Sequence, residues 1–533
     1  MHDPRIRPTV TQVLDQRAAS SGDKTWIVSP EGRFGIAEMQ ERSRKFAAGL
    51  LQLGLKRGDT VLLMLPDGID MVTAWLGLAR IGVVEVPVNV HLKGNVLEHV
   101  LVDSSAGTII TSRRFLDRIC PLLSALPRLT TVVLVDTPTT DDYVALAGRS
   151  LLRFGDLMIA DHQGLTDLPR SNDLIAVMYT SGTTGRSKGV MVTHAHAYEY
   201  AHSVLELLEM QMTDIYYNPL PLFHIAGQWA AVYASLIAGA TVVLPTAFSL
   251  SRFWDDVRNA NATCTFLLGA MANWLNRQPL SATDADNPMQ RMLIVPLLPE
   301  VEDFKARFGV KVSTTWGSTE INVPTRSGFV LANNRTCGRV AEDRYDVRIV
   351  DPDDREVPPG VPGEAVVRTR EPWLLMAGYW NNPAATAEAW RNQWVHSGDL
   401  LMRDEAGNLY FVDRLKDSIR RRGENISSIE VETEILAHEA VLECAIIPVA
   451  SEHSEEEVMA VLTLRPDCRL SPEELLAFLE PRMAHFMVPR YIDFVAEMPK
   501  TATGKIQKYM LRQQGVTATT WDRDKAGIRI QRA

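Results

Sequence analysis

Residues 179–189 read Tyr-Thr-Ser-Gly-Thr-Thr-Gly-Arg-Ser-Lys-Gly, and they follow directly on the apolar run Leu174-Ile175-Ala176-Val177-Met178. That run is short and bounded by turn formers, which predicts a buried strand. In the stretch after it, Gly182, Gly185 and Gly189 let backbone N–H groups approach an anion closely, because no Cβ intervenes. Ser181, Thr183 and Thr184 add hydroxyl donors, and Lys188 adds charge. The combination describes a loop built to hold phosphate, with helix-compatible residues resuming near Thr193.

Two other readings compete for this stretch. A P-loop NTPase places its lysine directly after a glycine and a Mg-binding hydroxyl directly after the lysine. Here Ser187 precedes Lys188 and Gly189 follows it, so the spacing fails. A ligand-free Gly/Ser/Thr linker accounts for the composition but not for the position directly after a buried strand.

Bulk properties bound the remaining choices. A chain of 533 residues exceeds the size at which one hydrophobic core keeps growing, so two or more domains are expected. Apolar residues make up 46%, enough to fill them. A formal charge of −10 argues against a general nucleic-acid surface, which would need a basic face. The five cysteines, Cys120, Cys264, Cys337, Cys444 and Cys468, are scattered without metal-ligand spacing, as in a reduced cytosolic protein. The start, Met1-His2-Asp3-Pro4-Arg5, lacks the apolar core of a signal peptide, and no run is long enough to span a bilayer. These features predict a cytoplasmic enzyme.

Along the first half, short apolar or β-branched runs at 60–65, 83–88, 108–111 and 131–135 alternate with helix-like segments at 36–53 and 68–81. This alternation predicts α/β layers with parallel strands. Segment 347–369 carries Asp351-Pro352-Asp353-Asp354 and Pro358-Pro359-Gly360, and reads as strands joined by tight turns in a smaller β subdomain. Beyond Asp413 come strand-like runs at 445–449 and 458–464, then Ser471-Pro472-Glu473-Glu474, an N-cap hydroxyl, a first-turn proline and a capping-box carboxylate.

The stretch 179–189 resembles the phosphate-loop signature of the adenylate-forming superfamily, which includes acyl-CoA synthetases, nonribosomal adenylation domains and luciferase. Five further motifs follow in that family's order. They are Pro221-Leu222-Phe223-His224-Ile225-Ala226-Gly227, Trp316-Gly317-Ser318-Thr319-Glu320, Trp394-Val395-His396-Ser397-Gly398-Asp399, Phe411-Val412-Asp413-Arg414-Leu415-Lys416-Asp417 and Pro499-Lys500-Thr501-Ala502-Thr503-Gly504-Lys505-Ile506. The resemblance implies a large N-terminal domain, 1–413, of layered α/β subdomains plus a small β subdomain. A hinge at 414–416 and a small mobile α+β C-terminal domain, 417–533, would follow.

The implied reaction is ATP-dependent. A carboxylate attacks the α-phosphorus, releasing pyrophosphate, and the acyl group then passes from AMP to the thiol of CoA. Both partners of the first step are anions, so charge neutralisation and alignment must dominate. By resemblance, Lys505 is the catalytic lysine, reaching the substrate carboxylate and α-phosphate. Thr180, Ser181, Gly182, Thr183, Thr184, Gly185 and Lys188 would hold phosphate. Trp316 and Gly317 would lie at adenine, Thr319 at the α-phosphate, and Asp399 with Arg414 at the ribose. Glu320, with Thr184, would hold Mg²⁺, a hard cation that favours carboxylate and phosphate oxygen.

His224 matches the family's gate beside the acyl site and is assigned to substrate positioning, although a lone histidine in an apolar segment is more often a satisfied core residue. Trp229 and Trp274 fall in segments that line the acyl pocket, where aromatic faces suit a cation such as a quaternary ammonium. Lys416 matches the hinge, and Gly423 the loop that would admit the pantetheine arm of CoA. The neighbouring Arg420-Arg421-Arg422 could steer CoA phosphates through paired hydrogen bonds or equally form a solvated charged face.

The chain departs from the family where many members have a Gly-Gly-Ala turn, reading Met292-Leu293-Ile294-Val295-Pro296-Leu297-Leu298-Pro299 instead. That departure, with 421–425 and 483–489, is most similar to the crotonobetaine/carnitine-CoA ligase group. Two other functions stay open from sequence: adenylation for transfer to a carrier-protein thiol, and a non-catalytic ATP-binding relative, which the presence of Lys505 and Glu320 disfavours. The expected partners are small molecules, a carboxylic acid, ATP and CoA. The sequence is compatible with a homodimer without requiring one.

Overall fold

The computed structural model describes residues 7–146, 148–159, 168–180, 187–415, 417, 419–421, 424–426, 428–451, 456–483, 485, 487–500 and 504–530. The apolar run after Asp173 forms the strand Leu174–Thr180, which pairs in parallel with Val84–Pro87 through Glu85 and Ala176. From there the sheet continues through Thr60–Met64, Thr108–Thr111, Thr131–Leu134 and Ser150–Arg153, all parallel. Most of these strands are buried along their length, which is why they read as largely apolar stretches, with Glu85 a buried polar exception. Thr60–Met64 is buried along its whole length.

On its other side Leu174–Thr180 pairs antiparallel with Lys188–Thr193, a strand the sequence reading did not anticipate. Thr180 and Lys188 therefore face each other across the ladder. Thr193 closes that strand and caps the helix His194–Leu207, its hydroxyl accepting from the His196 amide. Gly189 proves to be a packing glycine: an added Cβ would lie 2.6 Å from Val177 Cγ1 and 3.2 Å from Trp380 Cβ.

A second, seven-stranded sheet runs Lys311–Ser313, Arg291–Val295, Cys264–Leu268, Ile215–Tyr217, Thr241–Val243, Thr25–Ser29 and Gly32–Gly35, parallel except for the last pair. One continuous apolar core joins residues of both sheets. The predicted β subdomain is a six-stranded antiparallel sheet that includes Tyr345–Val350, Gly363–Thr369, Val395–Arg403 and Asn408–Arg414. Arg344 ties it to the helix His194–Leu207 by a buried ion pair with Glu199, 2.6 Å.

Residues after 418 have cores of their own. Val441–Ala450, Glu456–Leu464, Tyr491–Phe494 and Trp521–Asp522 form one sheet, and the helix Pro472–Leu479 opens with the expected capping box at Ser471 and Glu474. The overall class is thus α/β, a large layered N-terminal part with a β subdomain followed by a small α+β part. Arg421 corrects the reading of the basic triplet as a phosphate-steering cluster. It is 2% exposed, 2.7 Å from the buried Glu457 carboxylate, and donates to the Val488 carbonyl. A guanidinium so enclosed is a structural group of the C-terminal part. All five cysteines are free thiols, three of them buried.

The first turn of the helix His194–Leu207 buries two imidazoles, and burial pushes both His194 and His196 down to about 4. A base depressed in the folded state binds its proton more readily once unfolded. Stability is therefore full above pH 6.5, the unfolded value, and is lost as pH falls toward 4. The expected slope in that window is up to about 1.4 kcal/mol per pH unit for each histidine. Chemical unfolding of the full chain as a function of pH checks this, with His194→Asn and His196→Asn each expected to flatten the slope.

Candidate active site

Asp399 and Arg414 lie directly opposite each other on neighbouring antiparallel strands. The guanidinium Nη1 stands 2.9 Å from Asp399 Oδ1, and the indole N–H of Trp316 donates to Oδ2 at 2.8 Å. Asp399 is 2% exposed. Burial raises its carboxyl above the usual range, Arg414 and the Trp316 N–H pull it down, and Glu320 and Glu364 push it up again. Trp316 is itself nearly buried, its backbone N–H donating to Thr325 Oγ1. An indole here supplies a donor to the carboxylate as well as an aromatic ring.

The chain reaches Asp399 through Gly398, at φ +69°, a left-handed conformation open to glycine. Glu364 holds this turn. One oxygen accepts from the Gly398 amide at 3.0 Å, and the other contacts His396 Nδ1 and Arg391 Nη2, each at 2.9 Å. Sequence reasoning missed Glu364, because a carboxylate opening a strand has no local signature.

Lys505 comes to the same cleft from the C-terminal part. It follows Gly504, at φ +79°, and keeps access to solvent although protein crowds it. That crowding lowers its pKa first, the Arg414 charge lowers it further, and Asp399 opposes both. Lys505 also acts on His224, which like the lysine keeps access to solvent although protein crowds it: that crowding, then the Lys505 charge, take the imidazole down to about 4. Neutral His224 accepts the Ala226 amide at Nδ1, 3.3 Å, which leaves Nε2 as the N–H donor. Residues separated by most of the chain, His224, Asp399, Arg414 and Lys505, thus converge.

Glu320, half-buried, accepts the Tyr379 hydroxyl at 3.2 Å, and the Lys188 ammonium lies 4.7 Å from the centre of the Tyr379 ring. Tyr379, also missed from sequence, links the cation flanking the phosphate stretch to the carboxylate expected to hold metal. Thr319 is buried beside it, and Gly317 permits a tight turn, since a Cβ would lie 2.1 Å from the Asn322 carbonyl oxygen. Among the described residues no group of three or more His, Cys, Asp or Glu forms a protein-only metal site. A lone carboxylate nevertheless suits Mg²⁺, which keeps several waters and binds through one or two carboxylates plus substrate phosphates.

Other expected residues fall elsewhere. Ser181, Gly182, Thr183, Thr184, Gly185, Lys416 and Gly423 lie outside the described residues. Thr180 ends its strand half-buried. Trp229 is wholly enclosed, 0% exposed and edge-on to Tyr200, whereas Trp274 is half-exposed. The two tryptophans do not form an open cage.

The matches to known families fit this geometry. The model described as "AMP-binding enzyme" matches residues 14–380, and that of the AMP-binding enzyme C-terminal domain matches 430–505. The chain belongs to the AMP-binding enzyme family. Within it, the chain is an acid–thiol ligase of the acyl-CoA synthetase kind. It is 31% identical over 519 residues to the crotonobetaine/carnitine–CoA ligase of Salmonella heidelberg, covering 94% of this chain and 98% of that one. In fold it is similar to the O-succinylbenzoate–CoA synthetase of Bacillus subtilis in complex with AMP, with TM-score 0.81, 25% identity, and 96% and 99% of the two chains covered. An anthranilate–CoA ligase in complex with anthranoyl-AMP shares the fold at TM-score 0.81 and 23% identity, over 96% and 97% of the chains.

In this family member Trp316 is the residue to vary. Trp316→Phe keeps a ring and removes only the donor to Asp399. A hydrogen bond to a charged group contributes about 1.5–3 kcal/mol, so the affinity for ATP should fall at least about tenfold. Calorimetric titration of the variant with ATP measures this.

Proposed function

We propose that this ligase activates a small carboxylic acid with ATP and passes the acyl group to CoA. The observation supporting it is the meeting of Lys505 with Asp399, Arg414 and His224 in one cleft. In the first step a carboxylate oxygen attacks the α-phosphorus. The bond from that phosphorus to the bridging oxygen breaks, and pyrophosphate leaves. Lys505 lies between the two anions and offsets their repulsion, Arg414 and Asp399 hold the ribose, and neutral His224 donates from Nε2 on the acyl side. Held by Glu320 and substrate phosphates, with Thr184 as a further ligand, Mg²⁺ would supply charge neutralisation.

In the second step the thiolate sulfur of CoA attacks the acyl carbon, the bond to AMP breaks, and AMP leaves with the electron pair. Rotation about a hinge at 414–416, between a domain of 1–413 and one of 417–533, would replace Lys505 by Gly423 at the site. We place the enzyme in the cytoplasm, where ATP and CoA are available. No helix among the described residues is long and apolar enough to cross a membrane.

Lys505→Ala should lower the rate of acyl-AMP formation about 10²- to 10³-fold, the usual consequence of losing one preorganised charge donor. Pyrophosphate release over a panel of acids including crotonobetaine and carnitine, with and without CoA, measures the first step. Mass spectrometry of the thioester measures the second. Wild-type adenylation by the Lys505 variant would remove that residue from its role, and adenylate without thioester would remove CoA as acceptor.

A further inference from the structure

Between the acyl gate and the central sheet lies a polar pair that the two-step reaction leaves unused. Glu85, on the strand Val84–Pro87, is 0% exposed and faces the apolar core. Gln228 Nε2 donates to Glu85 Oε2 at 3.1 Å. Among the described residues, Glu85 Oε1 and Gln228 Oε1 are both buried acceptors without a donor. Two orphaned acceptors in one pair are costly, on the order of 1–3 kcal/mol each. One proton on Glu85 Oε1 would turn that atom into a donor and allow acid and amide to satisfy each other.

Gln228 is placed to transmit this to the site. It stands one helical turn after His224, on the same side of the segment, its amide bonded to the His224 carbonyl. It also opens a π-helical stretch, Gln228–Tyr233, a geometry often found at functional sites. The other end of the gate is held by a second acid, Asp67, whose Oδ1 accepts from the Leu222 amide at 2.8 Å. Between these anchors the chain folds back so tightly that a Cβ on Gly227 would lie 2.2 Å from the Pro221 carbonyl oxygen.

We propose that Glu85 is a positioning residue for the acyl side of this reaction, acting as a neutral carboxylic acid that locks Gln228 and so fixes the segment bearing His224. This rests on the assignment of that segment to the acyl site. Burial raises the Glu85 carboxyl to about 8, opposed only by the Gln228 hydrogen bond, so the proton is in place at neutral pH. No charged side chain contributes to that shift. Asp67, raised to about 6 by burial and eased by Leu222 and Arg114, ionises below the range in question.

The test compares Glu85→Gln, Glu85→Ala, Gln228→Leu and the Glu85→Ala/Gln228→Leu double variant of the full chain. Glu85→Ala should raise KM for the carboxylate about tenfold, the size of one unsatisfied buried group, with KM for ATP little changed. Glu85→Gln, neutral at every pH, should restore most of it. The wild type should lose kcat/KM for the acid as pH rises through about 8, and Glu85→Gln should lack that loss. Lys505, its pKa lowered by burial and Arg414, is common to both proteins, so the difference between them isolates Glu85. Gln228→Leu should match Glu85→Ala, and the double variant should be no worse than either.

A Glu85→Gln variant as impaired as Glu85→Ala, or one that keeps the alkaline loss, overturns the neutral acid. Additive effects in the double variant overturn the pairing; if Glu85→Ala fails to fold, a Gln228→Leu variant with unchanged KM for the acid, or a Glu85→Gln variant that keeps the alkaline loss, overturns the proposal instead. A proper pairing whose loss raises KM for ATP rather than for the acid would instead refute the acyl-side assignment.

Discussion

Everything in this active site answers to the repulsion between two anions that must touch. At about 4 Å, unit charges near a protein surface interact by roughly 4 kcal/mol, and a nucleotide triphosphate meeting a carboxylate carries several such charges. The chain brings Arg414 and Lys505 to the same place, beside the buried carboxylate of Asp399. The lysine registers its surroundings: burial and then Arg414 lower its pKa, while Asp399 opposes them. On the proposed function, phosphate and acid would supply the balancing negative charge, in the way a preorganised site favours charge developing in the transition state.

The cost of holding that arrangement is borne by the scaffold. Glu364 fixes the left-handed turn at Gly398, and the Trp316 indole fixes one oxygen of Asp399. On the phosphate side Tyr379 spans Lys188 and Glu320 with opposite ends of one side chain, its ring face toward the ammonium and its hydroxyl toward the carboxylate. Glu364 and Tyr379 reach the site from strands, where backbone pairing limits movement, and Trp316 from a segment pinned by its amide to Thr325. Lys505 arrives instead from the C-terminal part, just after Gly504. That difference suits a reaction in which the nucleotide stays put while its chemistry changes.

How much of this was legible in the sequence followed the range of the interaction. Continuous apolar runs located the parallel strands to within a residue or two, and the Ser471 capping box was read correctly because its physics spans four consecutive residues. Lys188–Thr193 escaped because a lysine–glycine start looks like the end of a loop, and only pairing with Leu174–Thr180 makes it a strand. Glu364, Tyr379 and Glu85 escaped for a similar reason, each gaining its meaning from a partner far away in the chain. Arg421 misled by composition: three arginines in a row suggest a solvated cluster, yet the middle one is buried against Glu457. Trp229, expected at a pocket wall, is enclosed by core.

Asp399 and Glu85 show how one functional group serves opposite ends in one protein. Both are buried, and burial alone drives each toward its neutral form. Asp399 is given a guanidinium and an indole N–H, donors that favour the ionised acid and leave it able to accept from a ligand. Glu85 is given only an amide, which can accept a proton's hydrogen bond as readily as donate one, and no cation offsets the loss of water. On the proposed assignments, charge would be kept where the nucleotide needs it and removed where the gate needs rigidity. Each is a single acid within its strand, and the partner across the fold decides which of the two it becomes.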